Sequence, residues 1–255
     1  MRDCWANSLG DCSGKMSGEH LVSDALFDDD TVTVQGLPWC KDQPKIIGLS
    51  SLVKNVLCTE HNSRLSEADE TAKKFRDALR AMASSQNDHS AGELTPSAVN
   101  EVDGFSIERW CAKTIVTFAA GTSARIGDGR NRGKPSRSLV EIVFGQKHFE
   151  SRAGLYWMGE VGDNITVNDG VEVMVFTDSE DRVQGARFTL FGFRMLLKLT
   201  RGRPGPLSIK FPDGEVWYPK LLHHPRTLGT KNLNNSIHTL HFLWNKALML
   251  PLADR

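Results

Sequence analysis

No run in this chain approaches the ~20 uninterrupted apolar residues of a membrane helix, and the start, Met1-Arg-Asp-Cys-Trp-Ala-Asn7, carries no signal-type apolar core. A membrane role is therefore not expected, and the expected location is the cytoplasm. Only five cysteines occur, Cys4, Cys12, Cys40, Cys58 and Cys111. In a reducing compartment that argues against a disulfide framework and leaves metal binding or plain burial. There is no phosphate loop, no dinucleotide-binding glycine pattern set between a strand and a helix, and no serine-nucleophile elbow, so the common nucleotide-binding and esterase chemistries have no anchor. Internal repeats and low-complexity segments are also missing.

Net charge is absent overall, yet it is unevenly placed. Residues 1–99 hold 10 Lys/Arg against 15 Asp/Glu, and residues 100–255 hold 21 against 16. Such asymmetry suggests two units with different partners. The steepest local feature is the run 121–137, where Arg125, Arg130, Arg132, Lys134 and Arg137 face one acid, Asp128, among four glycines and Pro135. It reads as a basic loop, either plainly solvated or a phosphate-contacting arm. Lys198, Arg201 and Arg203 form a second basic cluster that reads as solvated charge.

What is present divides the chain. Residues 3–62 are short of helix and rich in turns, with Thr31–Val34 alternating as a strand closed by Gly36-Leu-Pro38. Ser66-Glu-Ala-Asp69 is close to a capping box, and Ala68, Ala72, Phe75, Leu79 and Met82 recur at helical spacing, which predicts a helix over about 67–84. A polar, aperiodic stretch, residues 86–99, reads as a linker between a first unit, 1–85, and a second, 100–255. In the second, a buried helix is expected over Ser106–Ala120 with Ser106 as cap, and a short helix over Ser138–Phe144 ended by Gly145. Strands are expected at Val171–Phe176 and Ala186–Phe191, and a hairpin at Leu207–Phe211 with Glu215–Tyr218. The fold class is α+β, a small metal-stapled module followed by an α+β domain with an antiparallel sheet.

The most informative run is Cys58-Thr-Glu-His61-Asn62. Zinc takes about four ligands in a tetrahedron, usually as two close pairs held by turns. Cys58 and His61 fit the second pair; Cys4 and Cys12, with Asn7, Ser8 and Gly10 between them, are a looser first pair. Cys40 is an alternative ligand, and ordinary buried thiols are the alternative to a metal site altogether. Glu19-His20 sets a carboxylate beside an imidazole between these pairs. An imidazole near neutral pKa takes a proton from water in phosphodiester hydrolysis, and a divalent ion stabilises the scissile phosphate. The histidines His223, His224, His238 and His241 read as surface or satisfied groups, since residues 238 and 241 of a strand face opposite sides.

Taken together, Glu19-His20 and Leu57-Cys58-x2-His61-Asn62 leading into a helix resemble the HNH, or ββα-metal, endonucleases in their zinc-ribbon-stapled form, over roughly residues 4–80. The resemblance implies that Cys4, Cys12, Cys58 and His61 bind structural Zn²⁺ and that His20 is the general base. It also implies that Glu19 and Asn62 hold a catalytic Mg²⁺ or Mn²⁺. The family's base-orienting Asn falls at Val53 here, and Asn55, two residues on, is the nearest substitute. Arg125, Arg130, Arg132, Lys134 and Arg137 would then contact nucleic acid, expected to be DNA. The second half would recognise substrate, a protein partner or a second copy. The competing expectation is a catalytically silent, zinc-stabilised module that binds nucleic acid or protein.

Overall fold

A computed structural model describes residues 3–35, 40, 43–87, 99–127, 129, 131–150, 153–158, 170–199, 209–210, 214, 216–217, 227–231 and 237–244. In chain order the first part comprises β1 (Met16–His20), β2 (Thr31–Val34), β3 (Lys45–Gly48), β4 (Val53–Cys58), α1 (Thr59–Arg64) and α2 (Ser66–Asn87). It continues with β5 (Val99–Asp103), α3 (Gly104–Thr122), β6 (Arg125–Ile126), α4 (Arg137–Val143) and β7 (Gly154–Trp157). The last part holds β8 (Val171–Thr177), β9 (Arg182–Leu190), β10 (Phe193–Lys198), β11 (Ile209–Lys210), β12 (Val216–Trp217), β13 (Thr227–Lys231) and β14 (Ile237–Leu243). Helices and mostly antiparallel sheets alternate irregularly, which makes the chain α+β. No helix among the described residues is long and apolar enough to cross a membrane.

The fold turns on α3. Ile107, Trp110, Cys111, Ile115, Val116 and Ala119 are all fully buried, and the buried polar residues Lys113 and Thr117 occupy the remaining side of the helix. A helix buried all round must be covered all round. On one side lies α2, whose Ala68, Ala72, Phe75 and Leu79 form the expected apolar stripe. On another lies the main sheet, in which β9 pairs antiparallel with β8 and β10, β10 with β7, and β6 joins β9 in parallel. The cap of α3 differs from expectation. Asp103, not Ser106, is the N-cap, its carboxylate accepting from the Ser106 amide at 3.1 Å and from the Ser106 hydroxyl at 3.2 Å. Aspartate adds a negative charge at the positive end of the helix, which serine three residues in would not supply.

Two sheet features also differ. β14 runs parallel to β5 and antiparallel to β13, so the second half is not purely antiparallel. The expected strand at Ala186–Phe191 stops at Leu190, because Phe191 (φ 52°) and Gly192 (φ 86°) make a two-residue turn into β10. Of the hairpin expected at 207–218, the pairs Ile209–Trp217 and Lys210–Val216 are described. The linker is described only at its ends, and residues 88–98, like Gly36-Leu-Pro38, His223, His224, Arg201 and Arg203, lie outside the described residues.

Residues on the two sides of that linker share one core. A single hydrophobic cluster contains Cys4, Trp5, Leu57 and Phe75 together with Trp110, Val140, Phe188, Phe193 and Phe242. Phe75 sets its edge on Phe193 and on Phe242, with ring centroids 5.7 Å apart in both pairs. Whatever β1, β4 and α1 present on their surface is therefore backed by α3 and the main sheet.

Candidate functional site

The first feature is a four-donor cluster. The β4 strand runs directly into α1 with Cys58 at the N-cap; burial pushes its thiol up, but the backbone amides of His61 and Ser13 and the neighbouring Cys4 and Cys12 outweigh burial and leave it lowered. One turn further on, His61 faces the same way, as an i, i+3 pair must. The chain from Cys4 returns to Cys12 through a short 3-10 turn at Asn7–Leu9 ended by Gly10, whose φ of 89° favours glycine. A hydrogen bond from Trp5 N to Val56 O (3.0 Å) pins this segment to β4. The result brings Sγ of Cys4, Cys12 and Cys58 to 3.4, 3.6 and 3.2 Å from Nδ1 of His61. All four ligand atoms lie within 4.8 Å of one another, and the group could hold a metal ion.

Its surroundings suit that use. His61 is fully buried, and its other ring nitrogen, Nε2, lies 2.7 Å from Asp11 Oδ1, while Arg64 Nη1 donates to Asp11 Oδ2 at 2.6 Å. Burial works against ionisation of Asp11, but the His61 and Arg64 hydrogen bonds outweigh it and hold the carboxyl below its usual value. A carboxylate behind the far nitrogen fixes the tautomer that offers Nδ1 to a metal. Phe144 closes the cluster from above, edge-on to His61 with centroids 5.2 Å apart. Burial pushes the Cys4 thiol up to about 12; backbone hydrogen bonds from Cys58 and Ala6 pull against it, and the neighbouring sulfurs of Cys12 and Cys58 add to the rise. Three close thiols ionise together only around a cation. Cys40 is buried but stands outside the cluster, and Cys111 is a core residue of α3 whose thiol burial pushes well up.

The second feature is a cavity of about 280 Å³ on the same unit, lined by residues of β1, the turn after it, α1, α2 and α3. His20 and Asn62 both line it, and so does Glu19. The Asn62 amide donates to Ser17 Oγ (3.0 Å) and to the Gly18 carbonyl (2.9 Å), which leaves its own carbonyl oxygen as the acceptor. Gly18 is required by close packing: an added Cβ would lie 2.5 Å from Val53 Cγ1 across the ribbon. His20 is 28 % exposed in its side chain, with Nδ1 3.9 Å from Asp24 Oδ2.

Glu19 is placed differently from its neighbour. Its side chain is 6 % exposed, and Oε1 lies 2.5 Å from Nζ of Lys113 on α3. Lys113 Nζ also donates to both oxygens of Asp69 on α2, at 2.6 Å each. Burial pushes the Glu19 carboxyl up, and Lys113 pulls it back without cancelling the rise. Asn55 is not brought to the cavity: it is exposed on β4, opposite Gly18.

Of the five basic residues, Arg130 lies outside the described residues, Arg125 is half-buried in β6, and Arg132 and Lys134 are exposed. Arg137 pairs with Glu141 at 2.9 Å. The last turns of α3 pass against the hairpin, because an added Cβ on Gly121 would lie 3.0 Å from both Leu21 Cδ2 and Lys54 Cγ, and none of Arg125, Arg132, Lys134 and Arg137 lines the cavity. Asp11, Asp69 and Lys113 escaped the sequence reading. Asp69 reads locally as a helix-cap acid; for Lys113 the signal is a lysine between Ala112 and Thr114 in the middle of a helix expected to be buried. No family model, curated protein or solved structure matches this chain.

Proposed function

We propose that the chain is a zinc-stapled ββα-metal endonuclease of HNH type that hydrolyses phosphodiester bonds of nucleic acid, most simply DNA. One observation carries the reading: His20 and Asn62, distant in sequence, line one cavity on the hairpin-and-helix unit that also holds the Cys4, Cys12, Cys58 and His61 cluster. Zinc is supported by geometry. Zn–S near 2.3 Å and Zn–N near 2.05 Å at a tetrahedral angle give S–N edges of about 3.6 Å. The observed edges are 3.2–3.6 Å.

In this reading His20, partly exposed at the cavity, accepts the proton of the attacking water, with Asp24 beside its other ring nitrogen. Asn62 offers its carbonyl oxygen, and Glu19 its Oε2, to a Mg²⁺ or Mn²⁺ ion. Such an ion, when bound, lends positive charge to the scissile phosphate. Arg125 of β6, with the exposed Arg132 and Lys134 between β6 and α4, would attract the flanking phosphates. The test is cleavage of plasmid DNA and of RNA by zinc-loaded protein with Mn²⁺ or Mg²⁺. The expected result is cleavage by the parent and loss of it in His20→Ala. An inactive parent, or equal rates in the two proteins, overturns the proposal.

The Glu19–Lys113 ion pair favours a second reading, a silent zinc-stabilised module that only binds nucleic acid, because the acid most needed for an ion already has a cation. It expects bound zinc, no metal-stimulated cleavage, and nucleic-acid binding unchanged in Asn62→Ala.

A further inference from the structure

We infer that Lys113 and Asp69 are positioning residues for His20, so that the cavity is completed by α2 and α3 rather than by the hairpin and α1 alone. The catalytic meaning of this inference rests on the nuclease reading above; its structural content does not.

The backbone that carries His20 is tied down on both sides. Immediately before it, Glu19 binds Lys113; three residues after it, the Ser23 hydroxyl donates to Asp69 Oδ1 and accepts from Trp110 Nε1 at 2.8 Å. Asp69 is common to both ties, because it also takes two hydrogen bonds from Lys113. Lys113 is 2 % exposed, yet three carboxylate oxygens, one of Glu19 and two of Asp69, lie within 2.6 Å of its Nζ. The ring of contacts thus runs from β1 through α3 to α2 and back to the turn after β1, with His20 inside it.

Stability alone explains this poorly. A carboxylate and an ammonium withdrawn from water, Glu19 and Lys113, are costly to desolvate even with Asp69 at the cavity edge to share the charge, and well-packed apolar groups of similar size commonly serve a core as well or better. The neighbours of Lys113 on α3, Ala112, Ile115 and Val116, show that the helix is built for apolar packing. What a fully bonded network adds is geometry: it fixes the register of the strand end that presents the imidazole. A misplacement of about 1 Å at such a group costs roughly a hundredfold in rate.

The experiment compares zinc-loaded parent, Lys113→Met, Lys113→Arg and the charge-neutral double variant Glu19→Gln/Lys113→Met. Zinc content establishes folding, the His20 ring signals in a ¹H–¹⁵N spectrum report its placement, and cleavage with Mn²⁺ gives kcat and KM. Expected are displaced, broadened His20 signals in Lys113→Met and in the double variant, with kcat down roughly a hundredfold and KM little changed in Lys113→Met; the double variant, which also alters Glu19, is read by its ring signals alone. Lys113→Arg should restore the signals in large part. If Lys113→Met fails to fold, the double variant decides. A folded double variant with parental His20 signals overturns the inference. An inactive parent removes the nuclease reading and leaves the ring signals to judge positioning.

Discussion

The metal cluster and the cavity sit on the same strand-and-helix unit, yet one is closed upon itself and the other borrows its walls. All four donors of the cluster come from residues 4–61, and its supporting acid, Asp11, lies between them in sequence. The cavity takes His20 and Asn62 from the same stretch but depends on Asp69 from α2 and Lys113 from α3. A staple is a local object whose geometry follows from two tight turns. The cavity needs neighbours that arrive only when the chain has folded over itself.

Removing the metal should show this difference most strongly. Cys58→Ser takes away a fully buried ligand at the junction of β4 and α1. Structural zinc contributes about 10–16 kcal/mol to free zinc fingers. Here the shared core holds part of the fold without it, so a loss of several kcal/mol is expected, seen as zinc absent from elemental analysis and a Tm lowered by more than about 10 °C. A Cys58→Ser protein with the parental Tm would mean that the cluster is a set of ordinary buried thiols.

The core itself gives the next largest effect. Phe75 is fully buried in α2 against Phe193 and Phe242 of the second half. Phe75→Ala should cost about 3–5 kcal/mol. Calorimetry should show one cooperative transition moving as a whole, because both halves lose the same contact. Two separate transitions, only one of them shifted, would support a division near residues 86–99 and make the cavity an interface between independent units.

These two results bear on what could be read from the sequence. Cys58-x2-His61 was legible because a strand-to-helix junction fixes that spacing by itself, and the stripe of α2 was legible because 3.6-residue periodicity survives in any context. The helices at 104–122 and 137–143 were found for the same reason, within two residues at each end. Asp11 was not found, since a single acid in a turn has no period and its value lies in the far nitrogen of a residue 50 positions away. The pairing of Glu19 with Lys113 was hidden similarly. Adjacent to His20, Glu19 reads as a candidate metal ligand, and nothing local signals that a lysine of α3 also folds onto it. The parallel partnership of β5 and β14 is another product of distant chain segments, beyond the reach of alternation patterns that describe one strand at a time.

Asp11 tests the closed side of the comparison more finely. Asp11→Asn keeps the shape but removes the charge that holds the His61 ring, and losses of this kind weaken metal binding about 10–100-fold. Competition with a chelator of known affinity should place the variant in that range while leaving the His20 and Asn62 signals of the cavity unmoved. A change in the cavity as large as that in the cluster would show that the two sites are mechanically one.

The smallest effect is expected at Asn55, and it separates the resemblance from the geometry. In the HNH pattern an asparagine on this strand orients the general base, and Asn55 is the nearest residue that could take the part. Its side chain is exposed opposite Gly18, it does not line the cavity, and the contact to His20 Nδ1 comes from the Asp24 side. Asn55→Ala should therefore change stability by no more than about 0.5 kcal/mol, as exposed substitutions usually do. If the parent cleaves, the variant should cleave within about twofold, whereas Asp24→Asn should be slower by more than that. A tenfold loss in Asn55→Ala with Asp24→Asn unaffected would reverse the assignment and place the orienting group on β4. The base would then be held by the hairpin itself, and the cavity would be as self-contained as the cluster.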